Sequence, residues 1–207
     1  MIKVIVATNN EGKIKEIRNF FGQVAAKQPV LVMSLNDAGC NNVDLEAFED
    51  GDTFEANAVK KAEAVRDTLG TDSDSLTFVL ADDSGLVIDA LGGLPGVDSA
   101  NFMGRNTPYD VRHNWILEQL GDHRSARFVC VMALAAPNGT LTFKATMEGE
   151  IAHSPAGDKG FGYDPIFCIP EFNATSAEIS LEQKNKISHR GKALQKVVEY
   201  INENFGI

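Results

Sequence analysis

Two adjacent carboxylates close an apolar run in Thr77-Phe78-Val79-Leu80-Ala81-Asp82-Asp83-Ser84-Gly85-Leu86. A carboxylate at the end of a strand is placed to hold Mg²⁺ through oxygen or to orient a water. Strand alternation sends the two side chains to opposite sides, so only one need face a cleft. Asp82-Asp83-Ser84-Gly85 reads equally as an ordinary β-turn. Gly92, Gly93 and Gly96 follow closely, with Pro95 between them. That density suggests close backbone approach or unusual dihedral angles, or simply a tight loop.

A second stretch, Thr8-Asn9-Asn10-Glu11-Gly12-Lys13, lies between a β-branched run (Val4, Ile5, Val6) and a helical pattern (Ile14, Ile17, Phe21). Unpaired N–H groups and the dipole at a helix start attract anions, and Lys13 adds a positive charge. The Walker A pattern fails at both ends, with Ala7 for its first Gly and Ile14 for its hydroxyl. A phosphate-holding loop and a plain strand-turn-helix both remain open. The third stretch is Gly157 to Pro165, in which glycines flank Phe161 and Tyr163. Its rings suit a flat base and Asp164 suits a base N–H, while an aromatic-anchored loop explains it without a ligand. The fourth, Lys184 to Lys192, gathers Ser188, His189 and Arg190 at a helix start. That is an anion site or a solvated basic helix end.

The elements that carry these stretches alternate. Strands are expected over 30–33, 77–81, 86–90, 126–136 and 141–148. A helix is expected over 53–69, capped by a box at Asp52–Glu55. Another begins at Thr107-Pro108 with Pro at the first helical position, and a last one, capped by Ser188, covers 189–204. Residues 36–52 read as an acidic loop and Pro137-Asn138-Gly139 as a turn. The fold class is therefore α/β, a mixed, partly antiparallel sheet flanked by helices, in two lobes with a substrate cleft between them. With 207 residues and 43% hydrophobic content, one substantial core or two lobes on one sheet can form. A net charge of −10 argues against nucleic acid or an anionic membrane as partner. No run approaches the ~20 apolar residues of a membrane span. No signal peptide is expected, and Cys40, Cys130 and Cys168 lack metal or redox spacing. A cytoplasmic location fits.

Taken in order, TNxxGK, E-x-G-x-TF-x-x-NA-x-x-KA, DDSGL, LGG-x-PG, GFGYDP and SHRG-x-A resemble the house-cleaning nucleoside triphosphate pyrophosphatases. These are the dITP/XTP (inosine triphosphate) pyrophosphatases, or HAM1-like family, and the motifs run from residue 8 to residue 193. The resemblance implies one HAM1-like domain over 1–207. It implies hydrolysis of a purine triphosphate (dITP, ITP or XTP) to the monophosphate and pyrophosphate with Mg²⁺, and a homodimer. It makes Thr8, Asn9, Asn10, Glu11, Gly12 and Lys13 the phosphate loop. Asp83 becomes the metal ligand that activates water, Glu49 a second metal ligand and Ser84 a substrate contact. Phe161, Gly162, Tyr163, Asp164, Lys184, His189 and Arg190 become the pocket for base and sugar-phosphate.

The chemistry agrees. A triphosphate carries about four negative charges, which cations must offset before hydroxide approaches phosphorus. Arg190 is a donor only, so it suits a 6-oxo acceptor and not the amino group of adenine. Two positions depart from the family pattern. Asn101 follows Ser99-Ala100 where Arg is usual, removing a cation. Ala56 precedes Asn57 where Glu is frequent, and Glu55, one step earlier, is rotated by roughly 100°. Two other functions stand beside the first: a pyrophosphatase for modified pyrimidine triphosphates, and a non-catalytic nucleotide sensor.

Overall fold

The computed structural model describes residues 2–23, 30–69, 76–136 and 139–205. They divide into two compact units. One takes the described residues of Met1–Asp83, Cys130–Lys144 and Gly191–Ile207, the other those of Ser84–Val129 and Ala145–Arg190.

In the first unit, β1 (Ile2–Ala7) pairs in parallel with β2 (Val30–Ser34) and with β3 (Leu76–Ile88). β1 buries Val4, Ile5, Val6 and Ala7 in succession, as a strand covered on both faces does. Helix α1 (Glu11–Gln23) follows it, and α2 (Phe54–Thr68) precedes β3. Ala58, Ala62 and Val65 of α2 meet Ile5, Ala7, Val79, Ala81, Val131, Ala133 and Ala135 in one core. Alanines on both sides let the helix approach the sheet closely. Thr53 caps α2 by accepting from Ala56 N at 3.1 Å. The cap is thus Thr53 and not the expected Asp52, so Glu55 is not the returning partner of a box.

In the second unit, α3 (Tyr109–Gln119) precedes the first residues of β4 (Ser125–Ala136), which from Cys130 on belongs to the first unit, and the last residues of β5 (Gly139–Ile151) pair antiparallel with β6 (Phe167–Ile169). β6 pairs antiparallel with β7 (Ala174–Thr175), and α4 (Leu181–Ile187) follows; α5 (His189–Phe205) has only His189 and Arg190 in this unit and from Gly191 on belongs to the first. Leu86, Ile88, Ile116, Phe128, Met147, Tyr163, Ile166 and Phe167 belong to its core. The strand order is β2-β1-β3-β4-β5-β6-β7, a mixed, partly antiparallel seven-stranded sheet in an α/β fold.

Several expectations change. The strands expected at 77–81 and 86–90 are one thirteen-residue strand, β3, which runs through Asp82-Asp83-Ser84-Gly85 without a turn. Pro108 is extended (ψ 150°) and stands before the first helical residue, Tyr109, not inside the helix. The loop over 36–52 contains a 3₁₀ turn, Leu45–Phe48, capped by Asp44. Ser188 keeps its expected place, extended and directly before α5 at His189, and in addition closes α4, its N–H on Lys184 O at 2.8 Å. Pro137 and Asn138 of the expected turn lie outside the described residues.

Candidate active site

The first unit assembles its charged groups around the middle of β3. Asp82 and Asp83 are both buried, 1% and 7% exposed, and each meets a different lysine. Lys13, from the first turns of α1, forms an ion pair with Asp82 Oδ1, while Cys130 Sγ donates to Asp82 Oδ2 at 3.1 Å. Lys61, from α2, donates to Asp83 Oδ1 at 2.7 Å, to Glu49 Oε1 at 3.2 Å and to the Asp82 carbonyl at 3.1 Å. Asn57, one turn earlier on α2, donates to Asp83 Oδ2 at 3.4 Å and accepts from Gly51 N at 2.7 Å. The loop that bears Glu49 is thereby tied to the same carboxylate.

Burial pushes the Asp83 carboxyl above the usual carboxylate range, against the pull of Lys61 and Lys13. Burial works against the Lys61 charge too, but Asp83, Glu49 and Asp82 outweigh it and hold the amine above its ordinary value. A carboxylate of raised basicity beside a permanently charged ammonium is suited to take a proton from water. Among the described residues no group of three or more His, Cys, Asp or Glu is placed to hold a metal ion. Glu49 and Asp83 converge on Lys61 and offer oxygen ligands only, the donor type that magnesium prefers.

At the phosphate-loop stretch, Asn10 Oδ1 accepts from Lys13 N at 3.1 Å and caps α1, while Thr8 Oγ1 accepts from Asn10 N at 3.2 Å. Asn9, Asn10 and Glu11 are exposed, and Gly12 is half-buried.

The second unit assembles the other candidates. Asp164 Oδ2 accepts from Lys184 Nζ at 2.7 Å and from Phe161 N at 2.8 Å. Gly160 has φ +75°, and a Cβ there would collide with the Asp164 carboxylate, so this turn needs glycine. The Lys184 ammonium and the Arg190 guanidinium stand 5.2 and 5.7 Å from the Phe161 ring centroid. Two cations facing one ring hold it in place. Arg190 Nη2 donates to Ser84 Oγ at 2.8 Å. His189 stacks on Phe128, centroids 4.9 Å apart and planes 13° apart. Tyr163 is buried and donates to Ser99 O at 2.9 Å, and burial pushes its phenol up to about 12. Phe161 is therefore the half-buried ring of the pair, and Tyr163 belongs to the core. Gly162 O accepts from His113 Nε2 at 2.9 Å, which fixes the tautomer, since a carbonyl only accepts.

A sequence model of the Ham1 family matches residues 4–200. The chain belongs to the Ham1 family. A protein named dITP/XTP pyrophosphatase from Desulforamulus reducens is 44% identical over 97% of this chain and 96% of its own. One of the same name from an Exiguobacterium species is 42% identical over 95% of both. The structure of the Staphylococcus aureus Ham1 protein superposes with a TM-score of 0.80 at 37% identity, covering 97% of this chain and 98% of that one. A HAM1 protein from Coxiella burnetii gives 0.79 at 34% identity, covering 98% and 100%.

Against the Ham1 pattern, the shifted Glu55 turns outward and accepts from Thr142 Oγ1 at 2.6 Å, so it adds nothing to the Asp83 cluster. Asn57 and Lys61 are functional candidates that motif reading passed over. Both precede a buried alanine of α2, Ala58 and Ala62, so two polar residues four apart share the apolar face of one helix. That breach of amphipathic patterning was the available signal.

Proposed function

We propose that this chain hydrolyses dITP, ITP and XTP between the α and β phosphates, releasing the monophosphate and pyrophosphate. The observation that carries this is the buried ammonium of Lys61, on which Asp83, Glu49 and the Asp82 carbonyl converge. It stands in a chain whose near-full-length relatives are named dITP/XTP pyrophosphatase. Glu49 and Asp83 are the residues to hold Mg²⁺, which takes one or two carboxylates together with phosphate oxygens. Bound, the ion would offset phosphate charge and polarise the reacting centre. Asp83, made more basic by burial, takes the proton of the attacking water. Lys13, Lys61 and the N–H groups that open α1, with Thr8 to Gly12, serve the phosphate oxygens. Ser84, Phe161 to Asp164, Lys184, His189 and Arg190 serve base and sugar. Arg190 reads the 6-oxo acceptor, and an adenine amino group facing it leaves buried donors unpaired at about 1–3 kcal/mol each.

Pyrophosphate release from dITP, with and without Mg²⁺ and beside dATP, is the test. Equimolar dIMP and pyrophosphate that need the ion support the assignment. Tight dITP binding without pyrophosphate would leave a nucleotide sensor instead. Family resemblance also implies a homodimer; a sedimentation mass of two chains supports it, and a single-chain mass at assay concentration refutes it.

A further inference from the structure

Arg112, on α3, is 1% exposed and heads the fully buried side chains by volume. Among the described residues no carboxylate pairs with it. Its Nη1 donates to Ser99 O at 3.2 Å and Ala100 O at 2.9 Å, and its Nη2 to Gly104 O at 3.0 Å and Arg105 O at 3.4 Å. The guanidinium carbon stands 4.7 Å from the Tyr109 ring centroid. Among the described residues Nε finds no partner. Burying a cation against neutral carbonyls carries a desolvation cost that only several charge-assisted hydrogen bonds offset. Such an arrangement is poor at adding stability and good at fixing one backbone shape.

The shape it fixes centres on Ser99. Ser99 Oγ accepts from Leu86 N at 2.9 Å, just past Ser84-Gly85, and donates to Gly96 O at 2.5 Å. Ser99 O accepts from Arg112 and also from the Tyr163 hydroxyl. One carbonyl thus receives α3 and the Phe161–Asp164 turn together. The same helix touches that turn again through His113 on Gly162 O and through the Tyr109 ring, 5.3 Å and edge-on to Tyr163. The position after Ser99-Ala100 is Asn101, which carries no charge. In this chain a guanidinium reaches the carbonyls of that loop from α3.

We propose that Arg112 is the positioning residue of the base pocket: through the Ser99 carbonyl it fixes Tyr163, and with it Phe161 and Asp164, relative to Ser84. This rests on the assignment of the Phe161–Asp164 turn to the base. Lysine at 112 keeps the charge, but one ammonium has three donors and cannot span four carbonyls.

Steady-state kinetics on dITP and dATP, with melting temperatures, test it in Arg112→Lys, Tyr163→Phe and the double variant. Each single change is expected to raise KM for dITP about tenfold with kcat altered less than about threefold, and to lower the dITP/dATP preference. The double variant should raise KM no further than about the larger single effect, because both act through one carbonyl. An Arg112 that serves only stability would lower the melting temperature and the active fraction at unchanged KM and preference, which overturns the proposal. Multiplying effects in the double variant overturn it as well. Tyr163→Phe removes a single hydroxyl, so if Arg112→Lys does not fold, an unchanged KM in Tyr163→Phe decides against it. If the wild-type chain does not turn over dITP, the proposed function fails on its own. The dIMP dissociation constants of the same variants then read the positioning, and equal values overturn it.

Discussion

Replacing Lys61 by Met removes the cation that, among the described residues, bonds the Asp83 carboxylate, and leaves a buried charge behind. Breaking a buried pair from one side costs about 3–5 kcal/mol. An upper bound comes from protonation, the escape open to Asp83. Taking up a proton at about pH 7.5 against an ordinary value of 3.8 costs about 5 kcal/mol, at 1.36 kcal/mol per pH unit. At about pH 5.5 the same bound falls to about 2 kcal/mol. The sign follows from linkage. Without Lys61 the folded-state Asp83 rises further above its unfolded value, so the folded form binds the extra proton and loses stability as pH rises. The loss in Lys61→Met should therefore be large at pH 7.5 and at least halved at pH 5.5. For a chain of this size the former corresponds to a melting point lower by about 6–20 °C. Chemical denaturation in EDTA at both pH values measures it. Adding Asp83→Asn should recover much of the loss, because removing both partners leaves no stranded charge. A Lys61→Met chain within 1 kcal/mol of wild type at pH 7.5, or a loss that grows as pH falls, would refute this account of the pair.

Asp83→Asn should abolish pyrophosphate release while the fold and much of the dITP affinity persist; near-normal turnover at saturating Mg²⁺ removes Asp83 from the chemistry. Lys13→Ala should weaken ITP binding far more than IMP binding, and should also lower stability, because Asp82 loses its ion pair. Equal losses for ITP and IMP in calorimetric titration would show that the loop does not hold the outer phosphates. Arg190→Ala should lower ITP and XTP turnover while residual ATP hydrolysis stays nearly unchanged, whereas Phe161→Ala lowers all purines together, since stacking is largely indifferent to the 6-substituent. An equal loss on ITP and ATP in Arg190→Ala would make Arg190 a phosphate ligand.

The α/β class, the long strand β4 and helices α2 and α5 were legible because apolar spacing in 54–69 and 189–204 and the unbroken run in 126–136 need no outside help. β3 was not. Two carboxylates, a serine and a glycine in a row look like a turn, and locally they favour one. They stay extended because α1 and α2 each deliver a lysine to a carboxylate, a pairing invisible to any local window. α4 was missed because its buried residues are Lys184 and Asn185, held by Asp164 and neighbouring groups, not an apolar stripe. Its capping box, Ser180 with Gln183, was present in the sequence. Asp164 and Tyr163 lie in the motif singled out for the base, but their burial turns them towards shaping the turn that displays Phe161.

Among the described residues the fully buried cations, Lys61, Arg112, Lys184 and Arg190, are matched by four buried acids, Glu16, Asp82, Asp83 and Asp164. By formal count these described buried charges cancel, so the net charge of −10 is carried by the remaining residues. On net charge alone, a small polyanion approaching the chain meets repulsion, the reverse of electrostatic steering. Since ions screen such repulsion over a Debye length of about 10 Å at 0.1 M, encounter rates should climb as dilute buffer gains salt. The same net charge opposes longer polyanions more strongly than short ones.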